Sequence, residues 1–172
     1  EPTADGPVIA RANQKVLDAG VKVDACLDLA GKASGTFDIP FLVMTYYNIP
    51  FKYGVGRFTA MMREKGLRGA IIPDLPPEES REYLQHMGEQ GLDPVLIFSP
   101  TTSQERMKYL AAFAGGFIYC VARKGVTGQD TDFSEELTAY VKLCRSATSL
   151  PLAVGFGLKD KKDIDYLKGM AD

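Results

Sequence analysis

The 172-residue sequence predicts an α/β fold of repeated βα units around a parallel sheet, and three observations carry that prediction. Short apolar runs rich in β-branched and aromatic residues alternate with segments of helical periodicity, the pattern of βαβ units. Those runs are apolar almost throughout, as strands covered on both faces are. Two successive strands end in glycine-bearing loops, Arg123-Lys124-Gly125-Val126-Thr127-Gly128 and Gly155-Phe156-Gly157. Such loops at the carboxyl ends of adjacent strands are parts of a phosphate site on an α/β barrel.

The elements follow in order. Pro7 to Ala19 reads as a helix, with proline near its first position and Gly20 as its stop, and a shorter helix follows from Asp24 to Ala33. Phe41 to Tyr46 is a strand, and Phe58 to Lys65 a helix closed by Gly66. Gly69 to Asp74 is the next strand. A helix from Pro77 to Gln90 has proline at its start, Glu78 and Glu79 in its first turn and Gly91 beyond its end. Pro94 to Phe98 is a strand, after which Ser103 caps a helix through Phe113. The apolar run Gly116 to Ala122 is the fourth strand. Ser134 caps a helix from Glu135 to about Ser146, Pro151 to Val154 is the fifth strand, and Asp160 begins a helix carrying Ile164 and Leu167. No linker or low-complexity tract divides the chain, so residues 1–172 are expected to form one domain.

Composition narrows the function classes. Hydrophobic residues make up 45% and charged residues 24%, as in ordinary globular proteins, and the net charge of −2 provides no basic footprint for nucleic acid. No apolar run approaches the roughly 18 residues of a membrane span. The three cysteines, Cys26, Cys120 and Cys144, lie far apart and form no C-x-x-C pair, which predicts buried thiols in a reducing cytoplasm. A single histidine, His86, leaves no metal site to expect.

Several residues admit two readings each. Asp5, just before Gly6-Pro7, either caps the first helix or faces a ligand from the end of a preceding strand. Tyr46, closing a strand, is a core aromatic or a pocket wall, and Asp74 is a cap or a rim carboxylate. The glycine loops are flexible connections or a cradle of backbone N–H groups. His86 sits among polar neighbours and reads as a surface group, and Cys120 reads as core packing.

In combination the motifs are more specific. Pro2-Thr3-Ala4-Asp5-Gly6-Pro7, Met44-Thr45-Tyr46-Tyr47-Asn48, Pro73-Asp74-Leu75-Pro76-Pro77-Glu78-Glu79-Ser80, Arg123-Lys124-Gly125-Val126-Thr127-Gly128 and Gly155-Phe156-Gly157 occur in one order along the whole chain. In this the sequence strongly resembles the tryptophan synthase α subunit family. The resemblance implies a TIM (β/α)8 barrel, of which about five units, the third to seventh strands, lie in this chain. It implies a lyase of aromatic amino-acid biosynthesis that cleaves indole-3-glycerol phosphate to indole and glyceraldehyde 3-phosphate by a retro-aldol step, with no cofactor of its own. Asp5 matches the aspartate that accepts the indole N–H, and Tyr119 the tyrosine beside the reacting glycerol chain. Tyr46 and Phe156 match the indole pocket, Arg123 and Thr127 a mobile loop over the substrate, and Gly128 and Gly157 phosphate-binding amides. Phe117 stands where a second tyrosine can stand.

The resemblance further implies a β-subunit partner in an α2β2 complex, which carries pyridoxal phosphate and receives indole. Pro2, Asn48 and Pro76 are expected at that interface. The family's catalytic glutamate lies on the second strand and a last phosphate-binding Gly-Ser turn on the eighth. Neither matches a position here, and Glu1 stands where the family carries an aspartate. A closed barrel needs eight strands and roughly 250 residues. The chain is therefore expected to be a piece of a longer barrel, inactive by itself. The other expectation is a non-catalytic module that binds the β subunit.

Overall fold

The computed structural model describes residues 6–121 and 135–155, together with Lys161 and Asp165. Helix α1 (Pro7–Asp18) and helix α2 (Val23–Thr36) come first, followed by β1 (Leu42–Met44), α3 (Asn48–Tyr53), α4 (Val55–Glu64), β2 (Gly69–Ile71), a 3-10 turn (Pro77–Glu79), α5 (Arg81–Gln90), β3 (Asp93–Phe98), α6 (Gln104–Ala111), β4 (Ile118–Val121), α7 (Glu135–Ala147) and β5 (Leu152–Gly155). The five strands form one sheet in the order β1-β2-β3-β4-β5, every pair parallel. Sequential parallel neighbours joined by helices are the arrangement of a TIM barrel, and these five units form part of one. The barrel and parallel-sheet expectations are met.

The differences from the sequence reading have local causes. The segment expected as one helix from Pro77 to Gln90 breaks at Ser80. Its hydroxyl and its N–H both donate to the Pro77 carbonyl, at 3.0 and 3.2 Å, in competition with α-helical pairing. Helix α3 is an addition to the expected elements: a single short turn with Pro50 inside leaves no periodic signal. Helix α4 starts at Val55, before the expected Phe58, because Gly54 takes φ +90° and turns the chain there. The Ser103 cap is present, its Oγ accepting the Arg106 N–H at 3.2 Å. The N-cap of α1 is Gly6, which has no side chain to make a cap bond, and Asp5, expected either to cap this helix or to face a ligand, lies outside the described residues. Ser134 and the helix expected from Asp160 through Ile164 and Leu167 lie outside the described residues.

Two buried clusters fill the space between sheet and helices. The first joins Phe58 and Met62 of α4, Tyr83 and Met87 of α5, and Ala70 and Ile72 of the second unit. The second joins Phe98, Ile118 and Cys120 on the strands to Met107 of α6 and Tyr140, Val141 and Cys144 of α7. Each fully buried large apolar side chain contributes about 1.5–3 kcal/mol relative to exposure. Along β4, Ile118 and Cys120 are buried against the helices while Tyr119 and Val121 are half-buried. Side chains alternate along a strand, so Tyr119 faces the concave side, toward the barrel interior.

Candidate functional site

Because all five strands run parallel, their carboxyl ends share one rim, where barrel enzymes carry their active sites. Tyr46 follows β1, Asp74 and Pro76 follow β2, Tyr119 lies in β4 and Gly155 ends β5.

Tyr119 pairs in register with Ile97 on one side and Ala153 on the other, fixing its height in the barrel. Its phenol lies across the backbone of Gly155: a Cβ at that position would overlap Oη, Cζ and Cε2 of Tyr119. A strand glycine marks a close approach of just this kind. Burial raises the phenol's pKa, so Tyr119 stays a neutral hydroxyl that can donate to, or accept from, a ligand oxygen. In the sequence Gly155 reads only as the opening of a glycine loop. The signal for more is a strand ending in glycine directly beside a strand bearing the tyrosine.

A carboxylate joins the first two rim loops. Asp74 Oδ1 and Oδ2 accept the Tyr47 N–H at 2.9 and 3.1 Å. Tyr47 is the N-cap residue of α3, so Asp74 serves as a cap, but for the helix of the preceding βα unit. The Thr45 N–H donates to Ile71 O at 3.1 Å, continuing the ladder between the same strands. Tyr46 is half-buried between these bonds, and its carbonyl accepts the Ile49 N–H at 3.1 Å. Pro76 and Asn48 are both exposed, one on each tied segment. The structure thus brings these two expected interface residues to one stretch of the rim.

Between the second and third units the rim opens into a cleft of about 570 Å³, lined by Asp74, Pro76, Ile97, Thr102, Ser103 and Arg106 among others. Tyr46 and Tyr119 do not line it. Arg106 reaches across to Glu78, binding both carboxylate oxygens, one through Nη2 at 3.0 Å. This paired guanidinium lowers the Glu78 pKa to about 2.

Pro2, Asp5, Arg123, Thr127, Gly128, Phe156 and Gly157 lie outside the described residues. Among the described residues no group of three or more His, Cys, Asp or Glu could hold a metal ion, and no helix is long and apolar enough to cross a membrane. His86 is half-buried rather than free at the surface: it packs over Gly56 of α4, and Nδ1 lies 3.0 Å from Glu89 Oε2. The thiols of Cys120 and Cys144 are buried as expected, whereas Cys26 on α2 is exposed.

The model of the family described as tryptophan synthase alpha chain matches residues 1–172. The tryptophan synthase alpha chain of Desulforapulum autotrophicum is 59% identical over the whole of this chain, which spans 68% of that relative's length. Among solved structures, Mycobacterium tuberculosis tryptophan synthase superposes with a TM-score of 0.86 at 31% identity, covering 98% of this chain and 64% of that one. The tryptophan synthase α2β2 complex of Pyrococcus furiosus does so with a TM-score of 0.87 at 28% identity, covering 99% of this chain and 69% of that one. The family model matches every residue of this chain and the relative is 59% identical along it, so the chain belongs to the tryptophan synthase alpha chain family.

Proposed function

We propose that the protein cleaves indole-3-glycerol phosphate to indole and glyceraldehyde 3-phosphate. The observation that carries this reading is the family match across every residue of the chain. The neutral Tyr119 hydroxyl on the concave face, at the height where barrel enzymes bind substrate, supports it.

Cleavage breaks the bond between indole C3 and the glycerol chain. C3 must gain a proton, the adjacent glycerol hydroxyl must lose one, and the bonding pair must pass into the indole ring. Asp5 accepts the indole N–H and stabilises the charge that develops there. Tyr119 holds the glycerol hydroxyls, and Tyr46 and Phe156 clasp the ring. The backbone amides of Gly128 and Gly157 take the phosphate, and Arg123 and Thr127 belong to the loop that closes over it. The residue that moves the glycerol proton is the family's glutamate on the second strand, which matches no position in residues 1–172. This segment assayed alone is therefore expected to give no turnover. Indole then passes to a β subunit that carries the pyridoxal phosphate, docked on the rim at Pro2, Asn48 and Pro76. A cytoplasmic location, with the thiols reduced, fits this role.

The test is release of glyceraldehyde 3-phosphate from indole-3-glycerol phosphate by the whole protein, with and without a β subunit. Asp5→Asn is expected to lower turnover by about 10²–10⁴-fold while leaving the circular dichroism spectrum intact. Wild-type turnover in that variant refutes the assignment of Asp5, and absence of cleavage by the whole protein refutes the reaction.

A further inference from the structure

The cleft between the second and third units is lined by neither Tyr46 nor Tyr119 and has no part in the cleavage chemistry. Its volume of about 570 Å³ is that of a small-molecule site. Ile72, Leu75, Leu96 and Leu110 give it an apolar lining. Most of its polar side chains are tied within the protein. The hydroxyls of Thr101 and Thr102 bond that of Ser99 at 2.9 and 3.0 Å, Ser103 caps α6, and both Asp74 oxygens accept the Tyr47 N–H. Arg106 differs. Its partner, Glu78, comes from the 3-10 turn of the neighbouring unit, and the two side chains are 39% and 46% exposed. An ion pair so open to water adds little stability and is readily exchanged. Glu78 also shows how a carboxylate sits on this guanidinium: Nη1 and Nη2 donate to its two oxygens, the forked geometry that arginine favours.

We propose that the cleft binds a small carboxylate with an apolar body, whose carboxylate displaces Glu78 from Arg106 while its body covers Leu75, Leu96 and Leu110. Glu78 is then a tethered competitor: it pairs Arg106 in the free protein and turns to solvent when the ligand takes its place. One carboxylate sits on Arg106 before and after the exchange, so the electrostatic balance changes little. The net gain comes from apolar surface of ligand and cleft leaving water. Each half of the ligand is therefore required. A neutral analogue cannot replace Glu78, and a carboxylate without an apolar body gains nothing by doing so.

The experiment titrates the isotopically labelled whole protein with phenylacetate and follows backbone amide shifts by NMR. Saturable shifts are expected at Thr102, Arg106 and Leu110, with phenylacetamide and acetate binding at least about tenfold more weakly. Arg106→Met should weaken phenylacetate binding by about tenfold or more. Glu78→Gln removes the competitor and should tighten it about 2–5-fold, a gain that a misfolded variant cannot produce. The proposal is overturned by shifts confined to the surroundings of Tyr119, or by no saturable shift in the cleft. Equal affinity for phenylacetamide, unchanged affinity in Arg106→Met, or no gain in Glu78→Gln also overturns it. Binding is read without turnover, so the outcome is independent of the proposed cleavage.

Discussion

The two faces of the sheet are built to opposite rules. On the helix side, Phe98, Ile118 and Cys120 are completely buried among Met107, Cys144 and their neighbours. On the concave side, Ile71 and Val95 are buried, but toward the carboxyl ends of the strands Ile97 and Tyr119 are only half-buried and Met44 on β1 is 56% exposed. Neighbouring residues of one strand therefore serve separate ends: the helix-facing set holds the units together, and the concave set is left for a ligand or for other strands of the barrel. Substitutions on the two faces should separate stability from catalysis.

The largest effect is expected on the helix side. Phe98→Ala should cost about 3–5 kcal/mol, read as a lower midpoint in urea unfolding, because Phe98 has no exposed surface. A loss below about 1 kcal/mol would mean that the cavity collapses and the face is less tightly filled than described. On the concave side, Gly155→Val should drive Tyr119 from its place. Turnover of the whole protein should fall by about 10²-fold, the scale of a misplacement of about 1 Å, while β5 still pairs with β4. Unchanged kcat in a folded variant would remove Tyr119 from the site.

Smaller effects are expected at the rim and at single hydroxyls. Asp74→Ala removes the acceptor of the Tyr47 N–H and should cost about 1 kcal/mol in urea unfolding, whereas Asp74→Asn keeps an acceptor oxygen and should retain most of that stability. The Glu78–Arg106 pair bears on acid unfolding. Glu78 is held below its usual value, to about 2, so its stabilisation is complete above about pH 4.5 and is lost as the pH falls toward 2. Arg106→Ala should therefore lower stability slightly above about pH 4.5, flatten its fall between about 4.5 and 2 and make no difference below that, the effect being small because the pair is solvent-exposed. Tyr83→Phe is the smallest: its buried hydroxyl has no partner among the described residues, so its removal should alter stability by less than about 0.5 kcal/mol or raise it.

The sequence was most legible where chemistry and periodicity coincide. The apolar run at residues 116–122 announced β4, and the glycine past Gln90 announced the end of α5, where Gly91 takes φ +62°. Elements shorter than two turns were not legible. The α3 turn and the break at Ser80 depend on one or two hydrogen bonds that no periodic pattern records. At the rim the resemblance singles out Tyr119, but its close packing on Gly155 was not legible, since it joins residues on different strands. Asp74 was open between cap and rim carboxylate. It holds the N-terminus of α3 across two loops and also lines the rim cleft, and sequence spacing carries no information about such a reach.

That reach has a thermodynamic consequence for association. Loops that must be ordered when a partner docks subtract conformational entropy from the affinity, about 0.5–1.5 kcal/mol for each mobile side chain immobilised. The carboxylate of Asp74, holding the N-terminus of α3, makes the Asn48 and Pro76 loops one unit before any encounter. A surface organised in this way loses less entropy on binding, so if a β subunit docks there as proposed, loosening the tie at Asp74 should quicken its dissociation even though Asp74 itself need never touch it.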